Sequence, residues 1–137
     1  MRSRGQSLLE VALALPLLLA LALGGAEFAR LAMARSGLDV ATAAAAAAAA
    51  RAPSEVEGAP AARKAFISIV GSLGVPGAAE VAVASEGFGR GSVVTATGTA
   101  HFRAGFSALP ALAPEWTLTS TASARVEAWR SRSAGSG

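Results

Sequence analysis

The fold is decided by RGQSLLEVALALPLLLALALGGAEFAR, residues 4–30, a long apolar run with one early carboxylate. Residues 8–26 are all apolar or small except Glu10. Their number matches the roughly 20 residues with which an α-helix crosses a hydrocarbon core of about 30 Å. A charge at that depth costs roughly 2.5–3.5 kcal/mol on insertion scales, so we expect a partner or a process that requires Glu10.

The helical pattern continues beyond the apolar run. Residues 27–50 are mostly helix formers, including the uninterrupted alanines 43–50, and only Gly37 opposes a helix. We therefore predict one helix over about residues 6–50, roughly 68 Å long at 1.5 Å per residue. Because this length far exceeds the thickness of a bilayer, the second half of the helix must stand outside it as a stalk or pack along partners.

The charges beside the apolar run predict its orientation. Arg2 and Arg4 precede the run, so the positive-inside rule places the N-terminus in the cytoplasm and the rest of the chain across the membrane. A secretory signal peptide is the alternative, with the small residues 24–26 as a cleavage site before Glu27. It would release a soluble module, but it leaves Glu10 without a role and the continuing helical pattern unexplained.

Composition indicates a thin core and argues against a nucleic-acid binder. The 137 residues include 36 alanines and only seven aromatic residues, so each residue buries little apolar surface. The net charge is +3, but two of the twelve basic residues lie in the first five positions and no Lys/Arg run with interleaved aromatics follows. There is no cysteine, so the chain offers neither a disulfide framework nor a thiolate metal site.

The chain offers little chemistry for a catalytic or metal site, since it has one histidine and no cysteine. A hydrolase triad would have to combine His101 with Asp39, the only aspartate. Asp39 falls in the predicted long helix, whereas His101 falls on the outward face of a predicted strand. We therefore predict that the chain is not an enzyme, holds no cofactor or metal ion, and carries His101 as a solvated residue.

The remaining sequence predicts a small α+β head. Residues 51–60 read as a loop because of their prolines and Gly58, and a helix follows over about 61–73. Alternating Val, Ala and Thr predict three antiparallel strands at 80–85, 92–102 and 116–129, with an apolar face that includes Trp116 turned toward the helices and threonines turned outward.

The sequence also predicts the two connections between the strands and the C-terminal tail. The glycine-rich residues 87–91 lack the lysine and the following helix of a phosphate loop, so we predict a hairpin turn. Residues 102–114 connect the last two strands, and we expect them to cover a sheet edge or contact a partner. The predicted organisation is a leader at 1–5, a transmembrane and stalk helix at 6–51, a head at 52–129 and a disordered tail at 130–137.

The N-terminus looks like that of a type IV prepilin. MRSRG is a short basic leader ending in glycine, and in the following QSLLE the glutamate, Glu10, stands fifth after Gly5. The longer stretch resembles the TadE-like family, the pseudopilin-like proteins of tight-adherence (Tad/Flp) pilus systems. The shared features are Glu10, the Leu-Pro-Leu run at 15–17, Glu27-Phe28, Arg30 and an alanine-rich helix. Val11 stands where the family more often has an aromatic residue.

This resemblance implies processing and assembly rather than catalysis. Prepilin peptidase would cleave between Gly5 and Gln6, and Glu10 would set the register between subunits by neutralising the new α-amine at Gln6. The family implies a pilin-like fold, a place in the bacterial inner membrane as a single-pass protein, and helix-mediated contacts with other pilin-like subunits and membrane assembly proteins. Whether the chain enters the filament stays open, as does an uncleaved, membrane-anchored scaffold role. Pro16 is either a kink used in assembly or a tolerated membrane proline.

Overall fold

The computed structural model describes residues 4–75, 77–103, 105 and 115–126. Their elements, in chain order, are α1 (Arg4–Arg51), α2 (Glu55–Leu73), β1 (Ala79–Ser85), β2 (Val93–Arg103) and β3 (Glu115–Arg125). The three strands form one antiparallel sheet in the order β1-β2-β3. The predicted α+β fold, with a long N-terminal helix, a second helix and a three-stranded antiparallel sheet, is confirmed.

The chain divides into two compact units, Met1–Ala32 and Met33–Gly137. In the first unit, nearly all of the described side chains of α1 are exposed. The second unit contains the rest of α1, α2 and the sheet. Helix α1 itself runs through Pro16 and Gly37 as one helix, as the sequence predicted.

The sheet has one face packed against the helices and one hydroxyl-rich face. Every second residue of β2 from Val94 to Phe102 is buried, whereas the threonines between them are half-buried. The register places Val81 of β1 and Ser120 of β3 on either side of Gly98 in β2. The predicted alternation, with apolar residues inside and threonine outside, is confirmed.

Small side chains let α1 lie close to the sheet. Buried positions recur every three or four residues along this part of α1, at Ala34, Leu38, Ala41, Ala45 and Ala49. The closest approach is at Gly98, where an added Cβ would overlap Oγ1 of Thr42 and lie 3.0 Å from Cε2 of Phe66 in α2. Glycine at this position of β2 is therefore what allows both helices to reach the sheet.

Helix α2 begins earlier than the sequence predicted. The expected loop at 51–60 is wrong in its second half, because α2 starts at Glu55 and contains Pro60. Acidic residues in the first turn suit the positive end of the helix dipole. Gly58 is buried beside α1, and a Cβ on it would lie 3.6 Å from the Ala49 carbonyl oxygen. We attribute the longer helix to this packing, which offsets the hydrogen bond that a proline removes.

The C-terminus of α2 and the first hairpin agree with their predicted turn signals. Gly74 caps α2 in the left-handed conformation at φ 61°, and its N–H donates to the Val70 carbonyl. In the β1–β2 hairpin, Gly87 and Gly91 also have positive φ, and the Gly91 N–H donates to the Val126 carbonyl at 3.0 Å. Most of the predicted 102–114 connection, the end of the third predicted strand and the 130–137 tail lie outside the described residues.

The second unit has two distinguishable ends, because α1 and α2 run antiparallel within it. At one end, Gly58 lies against Ala49, with Phe88 of the β1–β2 hairpin also near Gly58. At the other end, a Cβ on Gly37 would lie 2.7 Å from Cγ2 of Val75, just after α2. We call these the Ala49 end and the Met33 end.

Candidate functional site in the exposed N-terminal helix

The first part of α1 presents apolar side chains in every direction. The large apolar residues from Leu8 to Leu23 are each more than half exposed, ranging from 55% to 73%, and they include the consecutive leucines Leu17, Leu18 and Leu19. Consecutive positions on a helix point to different sides, so this is an apolar cylinder rather than an amphipathic stripe. The helix contains a window with mean hydropathy 2.2, none of it buried, and is long and apolar enough to cross a membrane. Such a surface requires lipid or other apolar helices around it.

Glu10 interrupts this cylinder near its beginning. Its side chain is exposed, and among the described residues its carboxylate has neither a hydrogen bond nor an ion pair. Gln6 lies four residues earlier in the same helix, and residues with this spacing have Cβ atoms about 5–6 Å apart on one face. A positive group at the backbone nitrogen of residue 6 would therefore be about one helical turn from the carboxylate.

The predicted processing site lies in the first turn of α1. The helix begins at Arg4, so the Gly5–Gln6 peptide bond stands among the first residues, whose N–H groups have no intrahelical acceptor. A terminal turn of this kind frays at low cost, which is compatible with access by a peptidase. Gly5, Gln6 and Glu10 are thus close together along the helix, while their roles in processing and register stay predictions.

Pro16 lies within the apolar cylinder and does not end the helix. Because proline has no N–H, the carbonyl of Ala12 loses its usual hydrogen-bond donor four residues later. In hydrocarbon this carbonyl is a polar group that neighbouring helices or local adjustment must satisfy. Both interpretations of Pro16, a kink used in assembly and a tolerated proline, remain predictions.

Charged residues mark the end of the apolar cylinder. Arg30 Nη1 donates to Glu27 Oε1 at 3.0 Å, an i,i+3 ion pair on the surface of α1. The buried positions of α1 begin at Ala34, inside the second unit. The same helix therefore passes from an apolar surface to an ion pair and then to a packed, alanine-lined face.

This helix coincides with a known family model. Residues 5–51 match the TadE model, described as TadE-like protein. The N-terminal segment is TadE-like. The match covers the length of α1 and confirms the resemblance seen in the sequence, which rested on the same residues. No curated protein and no solved structure gave a significant match to the chain.

The TadE-like segment and the long apolar helix together indicate a membrane-anchored, pilin-like protein associated with Tad pili. The family is a structural component of pili rather than a known enzyme family. Proteins of this family interact in general terms with components of the pilus system.

The two residues considered for a hydrolase triad lie on opposite faces of the sheet. Asp39 of α1 accepts a hydrogen bond from Ser120 Oγ at 2.5 Å, on the face that packs against the helices. His101 is on the hydroxyl-rich face, with its Nδ1 3.9 Å from Glu115 Oε1 and 3.5 Å from Thr117 Oγ1. A groove of about 310 Å³ between α2 and β1 has Arg63 and Glu80 as its charged lining residues. These groups do not converge on a common position.

The sequence did not reveal which residues connect the helices to the sheet. Gly98, Gly37 and the Asp39–Ser120 hydrogen bond lie at the contacts, and their neighbours are distant in the chain. A glycine in a strand pattern does signal a close backbone approach, but not which element approaches. Trp116 lies on the same face of β3 as Leu118 and pairs with the buried Phe102, as expected, but it is 47% exposed because it stands at the end of the strand.

Proposed function

We propose that this chain is a minor pilin or pseudopilin-like component of tight-adherence (Flp, type IVb) pilus biogenesis. Prepilin peptidase removes residues 1–5, and the mature chain begins at Gln6. The observation that carries the proposal is Glu10, whose carboxylate has no partner among the described residues, in an exposed apolar helix, one turn from Gln6, within a TadE-like segment. The role of the chain is organisational: its helix packs with other helices, and its head caps, primes or docks.

Electrostatics explains why the glutamate and the cleavage belong together. Cleavage converts the amide nitrogen of Gln6 into an ammonium group at the start of an apolar helix. An isolated charge is costly in hydrocarbon, whereas a neighbouring opposite charge reduces that cost. Glu10 neutralises the ammonium of its own chain or of an adjacent subunit displaced along the bundle. In the second arrangement, the pair fixes the axial register between subunits.

The same helix gives the proposed location. The chain spans the bacterial inner membrane once, with Arg2 and Arg4 on the cytoplasmic side and the head on the extracytoplasmic side. The apolar cylinder contacts lipid before assembly and other pilin-like helices or membrane assembly proteins afterwards. Small residues along it, such as Ala20, Gly24 and Gly25, allow helices to approach closely.

The decisive experiment is to determine the N-terminal residue of the protein recovered from membranes of a host with the pilus system. An N-terminal Gln6 supports the proposal. Retention of Met1 points to an uncleaved, anchored scaffold, and an N-terminal Glu27 points to a secreted module released by signal peptidase. Either of these two results would overturn the pilin-like proposal. A host lacking prepilin peptidase provides the control, because the chain should then retain its first five residues.

A further inference from the structure

We propose that the outer edge of β1 binds an extended segment of a partner polypeptide. The segment adds a fourth, antiparallel strand to the sheet and places a carboxylate side chain against Arg63 of α2. This goes beyond the proposed organisational role, because it gives the head a binding mode of its own. It holds whether or not the leader is removed.

The backbone of β1 is paired on one side only. β1 stands at the end of the strand order, and no backbone hydrogen bond among the described residues reaches its outer side. The His101 N–H donates to the Ala78 carbonyl, and in an antiparallel ladder such bonded pairs recur at every second residue. With this register, residues 80, 82 and 84 bond to β2. Residues 79, 81, 83 and 85 therefore each turn an N–H and a C=O outward.

This edge lacks the features that usually prevent strand addition. Edge strands are commonly protected by proline, lysine, a β-bulge or a very short length. β1 has seven residues with neither proline nor lysine, and its register with β2 runs from Ala79 to Ser85 without a bulge. Its one charged residue, Glu80, lies near the start of the strand. A regular row of unpaired N–H and C=O groups is the template that an extended peptide matches.

A groove of about 310 Å³ runs beside this edge. It is lined by Arg63, Phe66 and Ile67 of α2 and by residues 79–81 of β1. Ile67 is 55% exposed whereas Phe66 is buried, so the groove offers an apolar contact that is open to solvent. At the Ala49 end, the Ser85 hydroxyl donates to Glu55, which connects the start of α2 to the end of β1. The groove therefore lies beside the first half of β1, which begins at the Met33 end.

The faces of the sheet decide which side chains of the added strand enter the groove. Directly paired residues on neighbouring antiparallel strands project from the same face. The side chains of residues 79, 81 and 83 are half-buried, whereas Glu80 is exposed on the hydroxyl-rich face. Every second residue of the added strand therefore points toward Ile67 and Arg63, and the residues between them lie beside Glu80.

Arg63 gives the groove a preference for a carboxylate. It is exposed, and among the described residues its guanidinium group has neither an ion pair nor a hydrogen bond. A guanidinium group can bind a carboxylate through two parallel hydrogen bonds. On the other face, Glu80 favours a basic residue at the neighbouring position of the added strand, since opposite charges on adjacent strands attract. The segment that fits therefore has apolar and acidic residues on one side and a basic residue on the other.

The helices disfavour a second copy of the chain at this edge. α2 packs against β1, and α1 is connected to β3 by the hydrogen bond between Asp39 and Ser120. Joining β1 to either edge strand of another copy would place two helices, each about 10–12 Å across, over strands only about 4.8 Å apart. An extended segment carries no helix layer, so it is the occupant that fits.

The test measures binding of a peptide to the full-length protein in mild detergent by fluorescence anisotropy. The peptide, fluorescein-Gly-Thr-Val-Lys-Glu-Thr-Val-Thr-amide, has its valines and glutamate on one side when extended, and lysine and threonines on the other. We expect saturable binding. N-methylation of the two valines and the glutamate should weaken it about tenfold or more, because their N–H groups would bond to β1. N-methylation of the lysine and the second threonine is the matched control, because their N–H groups would face away from β1.

Charge reversal at Arg63 tests where the peptide binds. Arg63→Glu should weaken binding about tenfold, and a peptide with lysine in place of glutamate should restore it. Lys64→Glu is the matched control, because it makes the same change in charge at the next residue of α2, which does not line the groove. Its binding should match that of the unmodified protein.

The other outcomes would overturn the inference. Absence of saturable binding contradicts it, and so does equal binding of the two methylated peptides. Equal weakening by Arg63→Glu and Lys64→Glu would mean that binding follows net charge rather than the groove. If the protein alone dimerises in sedimentation and only Arg63→Glu separates the dimer, the edge binds a second copy and the inference is wrong. None of these results bears on cleavage after Gly5, which the N-terminal residue of the native protein tests separately.

Discussion

Gly98 in β2 and Thr42 in α1 lie so close that a Cβ on the glycine would overlap the threonine hydroxyl. The hydroxyl is held in place, because it donates to the Leu38 carbonyl in its own helix at 2.7 Å. Phe66 of α2 also lies 3.0 Å from the added Cβ, so the side chain of a larger residue at position 98 would clash with both helices.

Gly98→Ala should therefore destabilise the second unit by about 1–3 kcal/mol, the usual cost of overpacking a core. The measurement is chemical unfolding in mild detergent, followed by tryptophan fluorescence. Gly71→Ala is the matched control, because nothing lies within 4 Å of its Cβ position in α2. Alanine there should stabilise the unit by about 0.5–1 kcal/mol through better helix propensity. If Gly98→Ala left the free energy of unfolding unchanged, α1 would not be in close contact with the sheet at this point.

Asp39 and Ser120 connect α1 to β3 through a hydrogen bond of 2.5 Å. A double-mutant cycle with Asp39→Ala and Ser120→Ala should give a coupling energy of about 1 kcal/mol, as expected for a partly buried hydrogen bond. The exposed pair Glu55 and Ser85, also 2.5 Å apart, is the comparison, and we expect its coupling to be smaller. Equal coupling in the two pairs would mean that burial adds nothing to the Asp39 contact.

Gly5→Ala should block maturation, because the peptidase motif requires the glycine that ends the leader. Intact-mass measurement of the membrane fraction should find the full-length chain instead of a chain beginning at Gln6. Ser7→Ala, two residues later, should mature normally. If Gly5→Ala still gave the mass of a chain beginning at Gln6, cleavage by prepilin peptidase would be contradicted.

Glu10→Gln should leave cleavage intact but reduce recovery of the chain in assembled pilus complexes by tenfold or more. The ammonium group of Gln6 would then lack its counter-charge, and an unpaired charge in hydrocarbon costs roughly 2.5–3.5 kcal/mol. The readout is the amount of mature chain that co-purifies with pilus components after detergent extraction. Glu27→Gln is the control, because Glu27 lies after the apolar run and pairs with Arg30. Unchanged assembly of Glu10→Gln would exclude a role for the carboxylate in register.

The elements were predictable where a local pattern decides them. Apolar length predicted α1, Gly74 predicted the end of α2, and alternation of threonine with small residues predicted the strands to within a few residues. The start of α2 was not predictable in this way, because Pro60 signals a turn while the burial of Gly58 and Ala62 against neighbouring elements favours a helix. The processing and register residues came from the N-terminal motif, whereas the contacts at Gly98 and Ser120 depend on how distant segments pack.

The alanine-lined packing of α1 has a thermodynamic consequence. Of the sixteen buried apolar residues in the described part of the chain, ten are alanines. Unfolding such a core exposes little apolar surface per residue, so its heat-capacity change should fall below the usual ~12–15 cal/mol/K per residue. Scanning calorimetry would measure it. The plot of the free energy of unfolding against temperature would then have little curvature. The stability of the head would therefore change little between low and high temperature.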